Sequence, residues 1–161
     1  MRIRLHKYGH DRHRLEVLRD DGTRSEVDLE TKSLLAHDLM HWVCERRAGL
    51  ADGVFGRIER GAEPTALQAQ APAGDDYGEL HAVESVVGLL QGAAKRDLPA
   101  QALVDHARSY LPQVGGGCPD WFDAALVTAV LGEHRALMAQ WRGLRLGGVL
   151  ELTGTFAGAG H

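Results

Sequence analysis

The chain has 161 residues, 44% of them hydrophobic and 25% charged, which suits one domain with a substantial core and is short for two. A formal net charge of -4 argues against general attraction to nucleic acid, and neither a signal-peptide pattern nor a bilayer-length apolar run is present. A cytoplasmic protein with no nucleic-acid or membrane partner is expected; two distant cysteines, Cys44 and Cys118, make neither a disulfide framework nor a Cys-x-x-Cys metal clip.

The first thirty residues read as strands. Ile3 and Leu5 alternate with Arg2, Arg4 and His6, and Leu15 and Val17 alternate with Arg14 and Glu16, so each segment offers one apolar face. Asp20-Asp21-Gly22 suits a hairpin turn, after which Val27 and Leu29 continue the apolar face. The arginines Arg2, Arg4, Arg12 and Arg14 are interleaved with these apolar residues and line a solvent face rather than a basic patch.

A helix follows, with Thr31 or Ser33 as its cap, a body running to about Arg47 and Gly49 as its stop. Gly53 to Ile58 suggests a short helix or turn anchored by Phe55 and Ile58. Residues 61–78, with Pro64, Pro72 and Asp75-Asp76, have the composition of an exposed loop. Three helices fill the second half: Glu79 to about Ala94, Pro99 to Leu111, and Asp120 to about Arg142. The run Gly148 to Thr153 reads as a strand that joins the N-terminal sheet, and residues 154–161 as a flexible tail. Together these predict a single α+β domain over residues 1–161. Its four-stranded antiparallel sheet, three N-terminal strands plus a C-terminal one, has about four helices packed on one face.

Chemistry concentrates on the first long helix. Residues four apart on a helix stand one above the other, so His37 and His41 can turn imidazole nitrogens to one ion, and Glu45 extends their stripe. Leu35, Leu39, Trp42 and Val43 gather on one side. His37, Asp38, His41, Cys44 and Glu45 gather on the other, towards solvent or a cleft. The spacing alone says little, since nine histidines are present and His6 with His10 repeats it; the helical setting and the neighbouring carboxylates add the weight. A further ligand is expected from the start of the next long helix, at Glu79, His81 or Glu84, with Glu84 in the ligand set beside His37, His41 and Glu45. Cys44 is another conceivable donor, although a reduced, partly buried thiol accounts for it better.

His37-Asp38-Leu39-Met40-His41 resembles the H-E-x-x-H helix of the zincin metallopeptidases, with Asp38 in place of the Glu. The resemblance implies His37 and His41 as zinc ligands and Asp38 as the catalytic general base of a metal-dependent hydrolase. The shorter Asp carboxylate is retracted by about 1.5 Å, so metal binding is the stronger implication. Leu34-Leu35-x-His37-Asp38 is also similar to the doublet of HD-domain phosphohydrolases, which need an earlier helical His; here His6, His10 and His13 fall among strands and turns. The wider pattern over about residues 34 to 60, with Glu45, Gly49-Leu50 and Gly53-Val54-Phe55-Gly56, resembles a group of short bacterial proteins of unassigned function. The alternative to a metal protein is a non-enzymatic interaction or assembly module, in which the stripe hydrogen-bonds to neighbours or to a partner subunit of a homo-oligomer.

Overall fold

The alternation of the first thirty residues becomes three antiparallel strands, β1 (Arg2–His6), β2 (Arg12–Leu18) and β3 (Arg24–Glu30), in a computed structural model that describes residues 1–65 and 78–156. The C-terminal strand β4 (Val149–Thr153) returns to pair with β1, giving the order β3-β2-β1-β4 with every neighbour antiparallel. Among the described residues five α-helices follow the meander: α1 (Ala36–Ala48), α2 (Val54–Glu59), α3 (Gly78–Arg96), α4 (Ala100–Tyr110) and α5 (Ala124–Gly143). The short α2 makes the count five rather than four. The fold is α+β.

One face of the sheet builds the core. Ile3, Leu5, Leu15, Val17, Leu29 and Leu150 are buried in one contiguous cluster with Leu39, Met40, Trp42 and Val43 of α1 and with Val83, Val87, Val130 and Trp141 of α3 and α5. The opposite face is a lattice of charge. Arg4 pairs with Glu151 at 2.6 Å, Arg14 with Asp28 at 2.8 Å and Arg24 with Glu16 at 2.8 Å, while His6 Nε2 lies 2.8 Å from Glu16. Glu16 is thereby buried among its charged partners.

α1 departs from the expected amphipathic form. It packs against α2, α3 and α5, and every residue from Asp38 to Glu45 is buried. A helix enclosed on all sides has no wet stripe, so its polar residues look into the protein rather than out of it. Its beginning is a π-helical turn, Thr31–Leu35, with no side-chain cap; the Thr31 hydroxyl instead hydrogen-bonds Nδ1 of the buried His13 at 3.1 Å. His134 of α5 donates from Nε2 to the Ala36 carbonyl at 2.9 Å, fixing the first turn against α5. At the other end Gly49 takes the left-handed conformation, φ 68°, and its N–H closes on the Glu45 carbonyl, the stop expected of a glycine there.

Two boundaries differ from the sequence reading. α5 begins at Ala124 with Asp123 as its N-cap, the carboxylate accepting from the Leu126 N–H at 2.7 Å, so Asp120 stays outside the helix. The expected tail is ordered through Phe156. Gly154 N–H donates to the Met1 carbonyl, Phe156 N–H donates to Glu59 at 2.8 Å, and the Phe156 ring is fully buried against Trp42 and Phe55. Most of the predicted 61–78 loop, residues 66–77, and the last tail positions, 157–161, lie outside the described residues. Among the described residues no helix is long and apolar enough to cross a membrane.

Phe156→Ala removes a fully buried ring from a three-aromatic cluster and is expected to cost about 3–5 kcal/mol. Urea unfolding of the variant checks this; a loss under about 1 kcal/mol would restore the flexible-tail reading.

Candidate metal centre

The helical spacing of His37 and His41 sets their imidazoles one above the other, ring centroids 4.6 Å apart. α3 packs across α1 and delivers Glu84 to the same place. His41 Nε2 is 3.4 Å and His37 Nε2 3.9 Å from Glu84 Oε2, and the three residues form a trio whose donor atoms all lie within 4.8 Å of one another. His41 is sealed, whereas the side chains of His37 and Glu84 are 26% and 34% exposed, so the cluster opens to solvent on that side.

Behind each imidazole stands a carboxylate. His41 donates from Nδ1 to Glu45 Oε1 at 3.0 Å, and His37 Nδ1 faces Asp38 Oδ1 at 3.4 Å. Both contacts are on the side of the ring away from Nε2. A carboxylate on Nδ1 fixes the tautomer that leaves Nε2 with its lone pair free for an ion, and it raises the basicity of the ring. His41 Nε2 is buried and, despite its 3.4 Å distance from Glu84, lacks an aligned hydrogen bond among the described residues. An imidazole nitrogen in that condition is expensive to bury unless something else satisfies it.

Glu45 therefore plays a different part from the ligand predicted for it. The trio brings together His37, His41 and Glu84, while Glu45 is fully buried with Oε1 on His41 and Oε2 accepting from the Phe55 N–H at 2.7 Å. The sequence signal for this was Gly53-Val54-Phe55-Gly56. A Cβ at Gly53 would fall 2.5 Å from Glu45 Oε2, and one at Gly56 would collide with the Ala51 carbonyl, so the glycines let the backbone of α2 close onto the carboxylate. Asp38, expected as a general base, has one oxygen on His37 and the other, Oδ2, buried without a partner among the described residues. Cys44 is buried in the core with its thiol pushed up to about 12 by burial and then by the Glu45 charge, so it is an inert packing group. Glu79 is turned away, accepting from the Asp52 N–H.

Electrostatics follow from these contacts. Burial works against a charge on His41 but is outweighed by Glu45 and Glu84, and its pKa is pushed up to about 9. Burial pulls the Glu84 carboxyl upward, yet His41 and His37 hold it below its ordinary value; burial raises Asp38.

No family model, curated protein or solved structure matches the chain, so the geometry of the residues themselves carries the reading.

Two outcomes are expected. Gly53→Ala should destabilise the fold by about 1–3 kcal/mol through the clash with Glu45, and by less in a Glu45→Ala background; equal costs in both backgrounds, by urea titration, would show that the contact is immaterial. His41 in the metal-free protein has a folded pKa above its unfolded value of 6.5, so its contribution is complete below pH 6.5 and is lost as pH rises towards 9. The stability of the parent should thus fall over that window more steeply than that of His41→Gln.

Proposed function

We propose that this protein binds a divalent transition metal, zinc foremost, through Nε2 of His37, Nε2 of His41 and the carboxylate of Glu84. The observation that carries the reading is the buried Nε2 of His41, which has no aligned hydrogen-bond partner among the described residues and faces Glu84, on a ring whose other nitrogen is held by Glu45. Zinc bonds of about 2.0–2.1 Å to nitrogen and oxygen set neighbouring donors roughly 3.3–3.4 Å apart in a tetrahedron. The separations of 3.4 and 3.9 Å to Glu84 suit that ion after a small contraction. Two imidazoles argue against calcium or magnesium, which take oxygen donors. When bound, zinc supplies a Lewis acid; Asp38 and Glu45 supply the orientation of the two rings.

The position of Asp38 behind His37 favours an orienting role over that of the base in a zincin-like hydrolase, since a base must reach the water it activates. Metal binding, rather than peptide hydrolysis, is the function this arrangement supports best. A second reading has one observation in its favour: a protonated His41 is held between the carboxylates of Glu45 and Glu84 without any ion. On that reading the helices α1 and α3 are joined by an ion-paired relay, and the protein is a metal-free interaction or assembly module.

Calorimetric titration of tag-free protein separates the two. One zinc per chain is expected. His37→Ala, His41→Ala and Glu84→Ala should each weaken binding by more than the about 10–100-fold expected of Glu45→Gln or Asp38→Asn, which remove only orienting partners. Because a proton on His41 competes with the ion, affinity should climb as pH is raised from 6.5 towards 9. A parent that takes up no zinc would leave the ion-paired relay as the function of the cluster.

A further inference from the structure

His13 occupies a core position near the start of β2. It shares the dry face of the sheet with Leu15 and Val17, stands opposite the buried Leu29 of β3, and is itself fully buried. Other elements meet on its ring. Nδ1 lies 3.1 Å from the hydroxyl of Thr31, the first residue of the π-helical turn that leads into α1, and the ring stands T-shaped to Trp141 of α5 with centroids 5.7 Å apart. Nε2 is buried with no hydrogen-bond partner among the described residues.

These surroundings suit a neutral ring only. An imidazolium carries an N–H on both nitrogens, and the Thr31 hydroxyl can accept one of them. The other, on Nε2, is then a charged donor buried without an acceptor, which is costly. The charged groups around the ring do not offset that cost. Arg12 repels a second cation, while Asp28 of β3 attracts one but is engaged by two hydrogen bonds from Arg14. Glu30 sits opposite Arg12 in the strand register, and Lys32, in the turn, is exposed. On the α5 side the Lys7 ammonium already lies 5.4 Å from the Trp141 ring centroid, held by the Trp141 and Leu144 carbonyls, so another cation on that indole meets like charge. Burial foremost, and then Arg12, pulls the pKa of His13 down to about 4.

The turn on the far side of the contact depends on what touches it. A π-helical geometry is rare, and Thr31–Leu35 has no side-chain cap; its first residue is tied down by the Thr31 N–H on the Asp11 carbonyl at 2.7 Å and by the Thr31 hydroxyl on His13. We propose that His13 is an acid-operated catch: its neutral ring fastens the turn to the sheet, and a proton on the ring releases the turn and loosens the entry to α1. The folded value lies below the unfolded 6.5, so the opened chain takes the proton first; the catch holds fully above pH 6.5 and gives way as pH falls towards 4. His13 belongs to none of the metal-ligand positions, so the catch stands or falls apart from the metal-binding reading.

The test uses full-length chain in the presence of a chelator and compares the parent with His13→Phe, with His13→Gln and, as control, with His10→Gln, which alters an exposed histidine. His134, the other histidine whose value burial lowers, is common to all four proteins. Between pH 7 and pH 5 the folding constant of the parent, from urea unfolding, should fall at least about tenfold more than that of either His13 variant. Native-state hydrogen exchange at pH 5 should show the amides of residues 31–36 opening ahead of the strands in the parent and in His10→Gln, and not in the His13 variants. Equal pH dependence in the parent and the His13 variants would overturn the catch, and so would a control that behaves like them or a parent in which residues 31–36 open only together with the strands. Should neither His13 variant fold, hydrogen exchange of the parent at the two pH values decides: protection of residues 31–36 lost selectively at pH 5 upholds the catch, and unchanged protection refutes it.

Discussion

The Glu45–His41 pair is the constraint around which the helical layer is arranged. A fully buried carboxylate is tolerated only when its oxygens are satisfied, and breaking such a pair by removing one partner costs about 3–5 kcal/mol. Glu45 meets that demand with one oxygen on His41 Nδ1 and the other on the Phe55 N–H. Satisfying it fixes several things at once: the distance from α1 to α2, the need for a residue without Cβ at position 53, and the rotamer of His41 that sends Nε2 towards α3. The hydrogen bond that settles the interior charge thereby also sets the orientation of the donor at the surface of α3.

The sheet and most helices were legible because their patterns report a local property. Ile3, Leu5, Leu15 and Val17 alternate because one face of the sheet is dry, and Leu80, Val83, Val87 and Leu90 recur at helical spacing because α3 has one buried side. α1 was legible as a helix but not in its surroundings. Its polar stripe reads as a face towards solvent or a cleft in isolation and becomes interior when α3 crosses its histidines and α2 closes on Glu45, facts carried by residues beyond the helix. The same limit separates His37, His41 and Glu84, which the trio unites, from Glu45, which shares the stripe but lies on the other edge of the ring. Helical periodicity places a residue on a face; it does not say which nitrogen of an imidazole that residue will meet.

Phe156 shows the complementary failure. Set among Gly, Ala and Thr it has no periodic neighbours, so nothing nearby signals that its ring completes a cluster with Trp42 and Phe55. The signal was its size alone, since a large aromatic side chain in a run of small residues has a great deal of surface to remove from water. Glu59 reinforces the attachment by accepting from Phe156 N–H and from the Met1 amine, so the two ends of the described chain are held at one carboxylate.

The charged outer face of the sheet bears on how faithfully the strands find one another. Inside–outside alternation detects a one-residue slip of β1 on β2, which would turn the core side chains into water, but it is blind to a slip of two. Charge is not blind. In the native register Arg4 faces Glu16 and His6 faces Arg14; a two-residue shift one way sets Arg4 against Arg14, and the other way sets Arg4 against Leu18. The first misalignment is opposed by like-charge repulsion and the second forfeits a favourable cross-strand pair. Proofreading of the pairing thus resides on the side of the sheet that contributes nothing to the hydrophobic core.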